Sequence, residues 1–237
     1  MKLIVGNQKN YLTFEKAQEF VINFKNVSNK NVIICPSYIY LDMFKQLNIQ
    51  IGAQNVSMYD EDIVTGDISI AQLKSMDINV SIVGHSERRQ LLNETISDTN
   101  KKVKELLSNN MVPILCVGET MEEKNAGKTK DVIFSSLKGA FKDIDNTLIK
   151  NVIVAYEPIW SIGTGNIPSS SEIDEIMKNI KEFLSINYST NNLVLYGGSV
   201  NSNNIDILNE INSIDGYLIG GASTKMEEFT KIIDRCN

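Results

Sequence analysis

The sequence predicts an α/β fold, a (βα)8 barrel made by residues 1–237 as a single domain. Two observations lead there: eight short apolar runs recur along the chain, and amphipathic stretches separate them. A third is that no linker, low-complexity tract or break in composition interrupts the alternation. With 237 residues, 42% of them hydrophobic, the chain can bury a sizeable core without disulfide or metal staples. The alternation alone also suits an open, doubly wound sheet.

The first run is KLIVGN (2–7), followed by the amphipathic stretch TFEKAQEFVINFKNV (13–27). NVIICPS (31–37), IQIGAQ (49–54) and NVSIVG (79–84) are the next three runs, and ISDTNKKVKELLSNN (96–110) follows as a helix. VPILCVG (112–118) and NVIVAYE (151–157) come next, then SEIDEIMKNIKEFLSI (171–186), for which Ser169 and Glu172 offer a capping box. LVLYGG (193–198) and DGYLIGG (215–221) complete the set. Their continuous Val, Ile and Leu character suits strands buried on both faces, and the longer stretches carry the spacing of a helix with one apolar side.

The formal charge of −6 argues against nucleic acid as a partner, because neutralising phosphates needs a basic face. It leaves room for a small anion, which answers to a local field. Cys35, Cys116 and Cys236 lack the spacing of a disulfide framework or a zinc site, and no metal or cofactor is expected. The N-terminus has too few apolar residues for a signal peptide and no run is long enough to span a membrane, so a cytoplasmic protein is expected.

In a barrel the chemistry sits where strands end. The first ends in GNQKN, which places Asn7 and Lys9 at the rim, although a lysine there is commonly just solvated. The fourth ends in GHSERR, with the only histidine, His85, before what reads as a helix start. Such a histidine is either structural or an imidazole held neutral by helix amides, able to act as a hydrogen-bonding electrophile. The sixth ends in Glu157, where burial would raise the carboxyl towards the value of a useful general base; pairing with an arginine is the alternative. The last two end in YGGSV and IGGAS, paired glycines that let backbone amides approach an anion closely.

These residues resemble the triosephosphate isomerase family. GHSERR and YEPIWSIGTG match its most diagnostic blocks, GNQKN is similar to its Asn-Trp-Lys motif, and GAQN, TGDIS, PILCVGE, YGGSV and DGYLIGGAS follow in the family's order. The resemblance covers essentially the whole chain and implies a TIM barrel. It implies a cofactor-free interconversion of dihydroxyacetone phosphate and D-glyceraldehyde 3-phosphate through an enediolate, a step of glycolysis and gluconeogenesis. Carried over by motif, Glu157 is the base, His85 polarises the carbonyl and shuttles hydroxyl protons, and Lys9 and Asn7 stabilise the enediolate and position the substrate. Gly163, Ser199, Gly220 and Gly221 hold the phosphate. The stretch from Pro158 becomes a stiff hinge leading into a lid. This family is itself a standing illustration of acid–base tuning and loop closure, so these roles come with the resemblance.

The resemblance also implies a homodimer in which the loop around Thr65 inserts into the neighbour beside the first loop. That first loop departs from the family: Gln8 stands where tryptophan is usual, Asn10 where methionine or cysteine is common, and Tyr11 where asparagine stands. Ser161 replaces the usual alanine at the start of the lid. Another phosphate-sugar enzyme on the same barrel, or a binding protein that kept the fold, are the alternatives, and the joint presence of Glu157, His85 and Lys9 speaks against the second.

Overall fold

A computed structural model describes residues 2–25, 27–59, 64–162 and 167–236. All eight apolar runs contribute strands: β1 (Leu3–Asn7), β2 (Val32–Cys35), β3 (Gln50–Ile51), β4 (Val80–Val83), β5 (Val112–Val117), β6 (Ile153–Tyr156), β7 (Val194–Tyr196) and β8 (Gly216–Ile219). Their ladder runs β3-β2-β1-β8-β7-β6-β5-β4, and every described pairing is parallel. β1 pairs with β8, and a parallel bridge from Ala53 to Ser81 joins the region after β3 to β4, so the eight strands form a nearly closed barrel. That closure excludes the open doubly wound sheet. β3 is shorter than its apolar run, because beyond Ile51 the chain bonds to both neighbours in turn: the Gly52 amide to Ile34 and the Ala53 amide to Val80.

Helices follow the strands. The first half carries α1 (Phe14–Phe24), α2 (Leu41–Phe44), α3 (Ile70–Ser75), α4 (Ser86–Leu91) and α5 (Ile96–Ser108). The second half carries α6 (Met121–Asn125), α7 (Thr129–Ala140), α8 (Asn146–Ile149), α9 (Ser170–Tyr188), α10 (Ile205–Asn209) and α11 (Met226–Arg235). The expected capping box is present at α9: the Ser169 hydroxyl accepts from the Glu172 amide and the Glu172 carboxylate accepts from the Ser169 amide. A removed cap of this kind costs about 1 kcal/mol.

Strand residues divide between two apolar clusters with the period of two that a pleated strand imposes. Val5, Ile33, Ile82, Ile114, Ala155 and Leu195 fill the barrel interior. Their neighbours Ile4, Ile34, Val83, Leu115, Val154 and Tyr196 face the helices, which contribute Phe24, Leu106, Leu137, Ile180 and Phe229. Cys35 and Cys116 are fully packed within the barrel, as small hydrophobes should be. No helix among the described residues is long and apolar enough to cross a membrane.

Candidate active site

The carboxyl ends of the strands surround a cavity of about 370 Å³, lined by Asn7, Lys9, His85, Glu157, Ser199, Gly220 and Gly221. The barrel thus brings together every residue expected from the strand ends, apart from Gly163, which lies outside the described residues.

Glu157 follows β6 directly, and its amide continues the ladder to the Val117 carbonyl at 2.8 Å. The strand ends meet so closely that a Cβ on Gly118 would come within 1.7 Å of the Glu157 carbonyl oxygen, so only glycine fits there. The Glu157 side chain is buried; its Oε1 lies 3.0 Å from Nε2 of His85 and its Oε2 accepts from the Ser86 amide at 3.3 Å. Burial pushes this carboxyl up, but the charge and hydrogen bond of His85 and the bonds from Ser86 and Cys116 together outweigh it and hold it below the ordinary carboxylate value. The expectation of a raised carboxyl is therefore corrected for this paired state. An arginine partner is corrected too: the partner is an imidazole.

His85 is placed by Gly84, whose φ of +68° turns the chain out of β4 at little steric cost. His85 is the N-cap of α4, and its Nδ1 accepts from the Glu87 amide at 3.2 Å. A neutral ring in this position must carry its proton on Nε2, the nitrogen that faces Glu157. Burial pulls the imidazole's proton affinity down; the carboxylates of Glu157 and then Glu87 pull it up and prevail in this paired state.

Lys9 adopts the left-handed region, with φ +49°. The conformation costs a non-glycine residue about 1–2 kcal/mol, and the surroundings hold it. The Lys9 amide donates to Oδ1 of Asn7 at 3.1 Å, and Nε2 of Gln54 bridges the carbonyls of Lys9 (2.7 Å) and Cys35 (3.0 Å). The ammonium pairs with the Glu87 carboxylate. Glu87 therefore addresses both sides of the site, its amide on His85 and its carboxylate on Lys9.

The turns after β7 and β8 complete the lining. Ser199 Oγ donates to the Ser161 carbonyl at 2.7 Å, tying the β7 turn to the segment after Glu157. The Ser223 amide and hydroxyl both donate to the Gly220 carbonyl, at 2.8 and 2.7 Å, which fixes the β8 turn. A Cβ on Gly221 would meet no atom within 4 Å among the described residues beyond its chain neighbours, which leaves room for a ligand. Gln8 joins the first loop to the β8 turn: Nε2 donates to the Ser223 carbonyl at 3.2 Å, while its buried Oε1 has no partner among the described residues.

The chain matches the family model described as triosephosphate isomerase over residues 2–236. Proteins named triosephosphate isomerase from Malacoplasma penetrans and Alkaliphilus oremlandii are each 40% identical to it, and one from Dictyoglomus turgidum is 36% identical; each comparison covers 98% of this chain and 98% of the relative. The chain belongs to the triosephosphate isomerase family. In this member of the triosephosphate isomerase family the motif residues line one cavity, and the ionisable groups lie against the glycine turns: Lys9 beside Gly220 and Glu157 beside Gly197.

In this member of the triosephosphate isomerase family, several residues that shape the cavity are not singled out by the sequence. Gln54 and Glu87 fall inside the blocks GAQN and GHSERR, but nothing in those blocks singles them out as supports of Lys9. Glu94 reads as a surface charge, yet it is buried: Oε1 accepts from the Gly84 amide at 3.1 Å, and Oε2 takes both Arg88 Nε and Lys102 Nζ at 2.6 Å. Lys102 also donates to Oδ1 of Asn55 at 2.8 Å. This cluster fixes the turn that carries His85. Trp160 is held from below, its Nε1 donating to Oε1 of the buried Glu119 at 2.8 Å and its ring lying 3.7 Å from the Lys124 ammonium. Among the described residues no group of three or more His, Cys, Asp or Glu side chains is arranged to hold a metal.

Proposed function

We propose that this chain interconverts dihydroxyacetone phosphate and D-glyceraldehyde 3-phosphate by proton transfer through an enediolate, with Glu157 as the base. The observation that carries the reading is the His85–Glu157 pair in a cavity that the glycine turns after β7 and β8 also line. The Glu157 carboxylate takes a proton from C1 of the ketone, leaving an enediolate, and returns it to C2 to give the aldehyde. His85 donates from Nε2 to the carbonyl oxygen, and a proton passes between the two enediol oxygens through the same nitrogen. Lys9 and Asn7 offset the negative charge that develops. Gly163, Ser199, Gly220 and Gly221 grip the phosphate through backbone amides.

For this to happen substrate must part the base from the electrophile. Once Glu157 turns to carbon, the larger upward pull on His85 weakens and only that of Glu87 stays. Burial and the amide at Nδ1 then favour a neutral ring that donates without becoming an acid. General base catalysis supplies about 10²–10⁴-fold and one preorganised donor about 10²–10³, so the rate rests on the set acting together. Closure of a lid reached through Pro158 and Trp160 would exclude water from the enediolate; the expected tip at Gly163 lies outside the described residues.

The reading includes a single (βα)8 unit over residues 1–237, a cytoplasmic location, and a homodimer with the Thr65 loop of one protomer seated beside Lys9 and His85 of its partner. Support for the last is a second cavity of about 450 Å³ that touches Lys9 and His85 from outside the first and is rimmed by exposed Leu91, Leu92 and Tyr11. A coupled assay with D-glyceraldehyde 3-phosphate tests the activity: turnover supports it, and its absence in folded protein overturns it.

A further inference from the structure

Gln8 is buried, yet only half of its carboxamide is used. Nε2 donates to the Ser223 carbonyl at 3.2 Å, and Oε1 has no partner among the described residues. A buried acceptor without a donor weakens a fold, and an apolar side chain of the same length would avoid that cost. What a carboxamide adds at this position is the single bond from Nε2.

That bond continues a connection that the backbone gives up. The pairing of β1 with β8 ends at Gly6 and Ile219, beyond which the strands run into the first loop and the β8 turn. The two still lie against each other: a Cβ on Gly220 would stand 3.4 Å from Cε and 3.7 Å from Nζ of Lys9. Side chains hold the first loop on three sides. Gln54 ties the Lys9 carbonyl to that of Cys35 at the end of β2, and Glu87 of α4 takes the Lys9 ammonium. Gln8 makes the one side-chain hydrogen bond, among the described residues, from residues 7–11 to the β8 turn. At the far end of that bond Ser223 fixes the turn itself, its amide and hydroxyl both donating to the Gly220 carbonyl. The bonds thus run from Gln8 through Ser223 to Gly220, and Lys9, the next residue after Gln8, sets its ammonium against the Gly220 end.

We propose that Gln8 is a positioning residue, which fixes the Lys9 ammonium against the Gly220 turn so that cation and turn amides meet an anionic group together. The proposal rests on the reading of the cavity as a triose phosphate site and adds to it a residue that touches no substrate. A charge and a set of amides act jointly on one anion only while their spacing is kept. Holding that spacing before the ligand arrives spares the cost of ordering it on binding. A buried group that breaks a local rule is expected where a site needs it.

Gln8→Met keeps the length of the side chain and removes the donor. Its midpoint in denaturant unfolding should stay close to the parent's, since the stranded Oε1 leaves together with the bond. The Kd of inorganic phosphate, titrated directly, should rise about three- to tenfold, the loss of one hydrogen bond's worth of placement. In the same variant kcat/KM for D-glyceraldehyde 3-phosphate should fall about ten- to a hundredfold. Gln8→Leu, which also lacks the donor, should match it. In a Lys9→Met background no ammonium remains to be placed, so adding Gln8→Met should change phosphate affinity by less than about twofold.

Phosphate affinity and kcat/KM that stay with the parent's in folded Gln8→Met or Gln8→Leu would overturn the proposal. So would a loss of the same size with and without Lys9, which marks a structural role. If the parent turns over no triose phosphate, the reading of the site has failed instead, and phosphate titration of the four proteins still decides the role of Gln8. A parent that binds no phosphate overturns both.

Discussion

Nε2 of His85 and Oε1 of Glu157 lie 3.0 Å apart, so the proposed base and electrophile are bonded to each other when no substrate separates them. Each changes the other's titration. Glu157 is held below its ordinary value of 4.5, so its share of the pair's stability is present above pH 4.5 and lost as pH falls through the lowered value. His85 is held above its ordinary 6.5, so its share is present below pH 6.5 and lost as pH rises through the raised value. The pair therefore stabilises the fold most between those two values, and it titrates as a unit. Glu157→Gln removes the charge that raises His85, and the imidazole midpoint should fall. Because the chain has one histidine, imidazole NMR signals report it without ambiguity. A midpoint in Glu157→Gln equal to or above the parent's contradicts this account of the pair.

Gly221 separates binding from folding. A Cβ there meets no atom within 4 Å among the described residues beyond its chain neighbours, so Gly221→Val should fold with stability within about 0.5 kcal/mol of the parent. The valine should occupy the space assigned to phosphate and weaken inorganic phosphate or a phosphate-bearing inhibitor more than tenfold, a loss above roughly 1.4 kcal/mol. Retained inhibitor affinity in the folded variant would refute the cradle.

The strands were legible because a strand buried on both faces needs an unbroken apolar run, and eight such runs exist. β3 was legible as an element but not in length, since the barrel closes through Gly52 and Ala53 and the ladder shifts from β2 to β4 within its run. His85, Glu157 and Lys9 were legible from their places at strand ends. The sign of the shift at Glu157 was not, because burial can be read from a sequence and a partner 72 residues away cannot. Lys102 was invisible for a related reason: in KKVKEL it looks like one of several solvated lysines, and only the fold sets it against Glu94 and Asn55.

The Glu94–Lys102 contact should dominate the stability of the His85 turn. Burial pulls the Lys102 ammonium down, and the Lys102 and Arg88 charges hold Glu94 below its ordinary value against its own burial. Lys102→Met leaves the buried Glu94 with Arg88 as its remaining cation. It should therefore cost more in denaturant unfolding than an exposed pair but less than the roughly 3–5 kcal/mol of an uncompensated buried charge. Replacing both, as Glu94→Gln with Lys102→Met, should cost less than the sum of the two single changes. A single variant within 1 kcal/mol of the parent, on the scale of an exposed pair, would show that the site is solvated in solution.

The first loop bears on assembly. Asn10 and Tyr11 are exposed in the isolated protomer and border the cavity assigned to the neighbour's Thr65 loop. An amide left unpaired there costs about 1–3 kcal/mol, two-fold symmetry repeats it, and each 1.4 kcal/mol weakens association roughly tenfold. The expected result is a dimer that dissociates readily, with specific activity lost in step, when sedimentation and activity are followed from micromolar to nanomolar concentration. An intact, fully active dimer at low nanomolar concentration would show that Asn10 finds a partner, and a fully active monomer would show that the neighbour's loop is unnecessary.

The central claim is that Glu157 removes the proton, and the most direct measurement is the steady-state rate of Glu157→Gln in the coupled assay with D-glyceraldehyde 3-phosphate. Glutamine keeps the shape of the side chain but cannot accept the proton at carbon, so kcat should fall by about 10²–10⁴-fold or more while KM changes little. A folded Glu157→Gln protein whose kcat stays near the parent's would contradict the account.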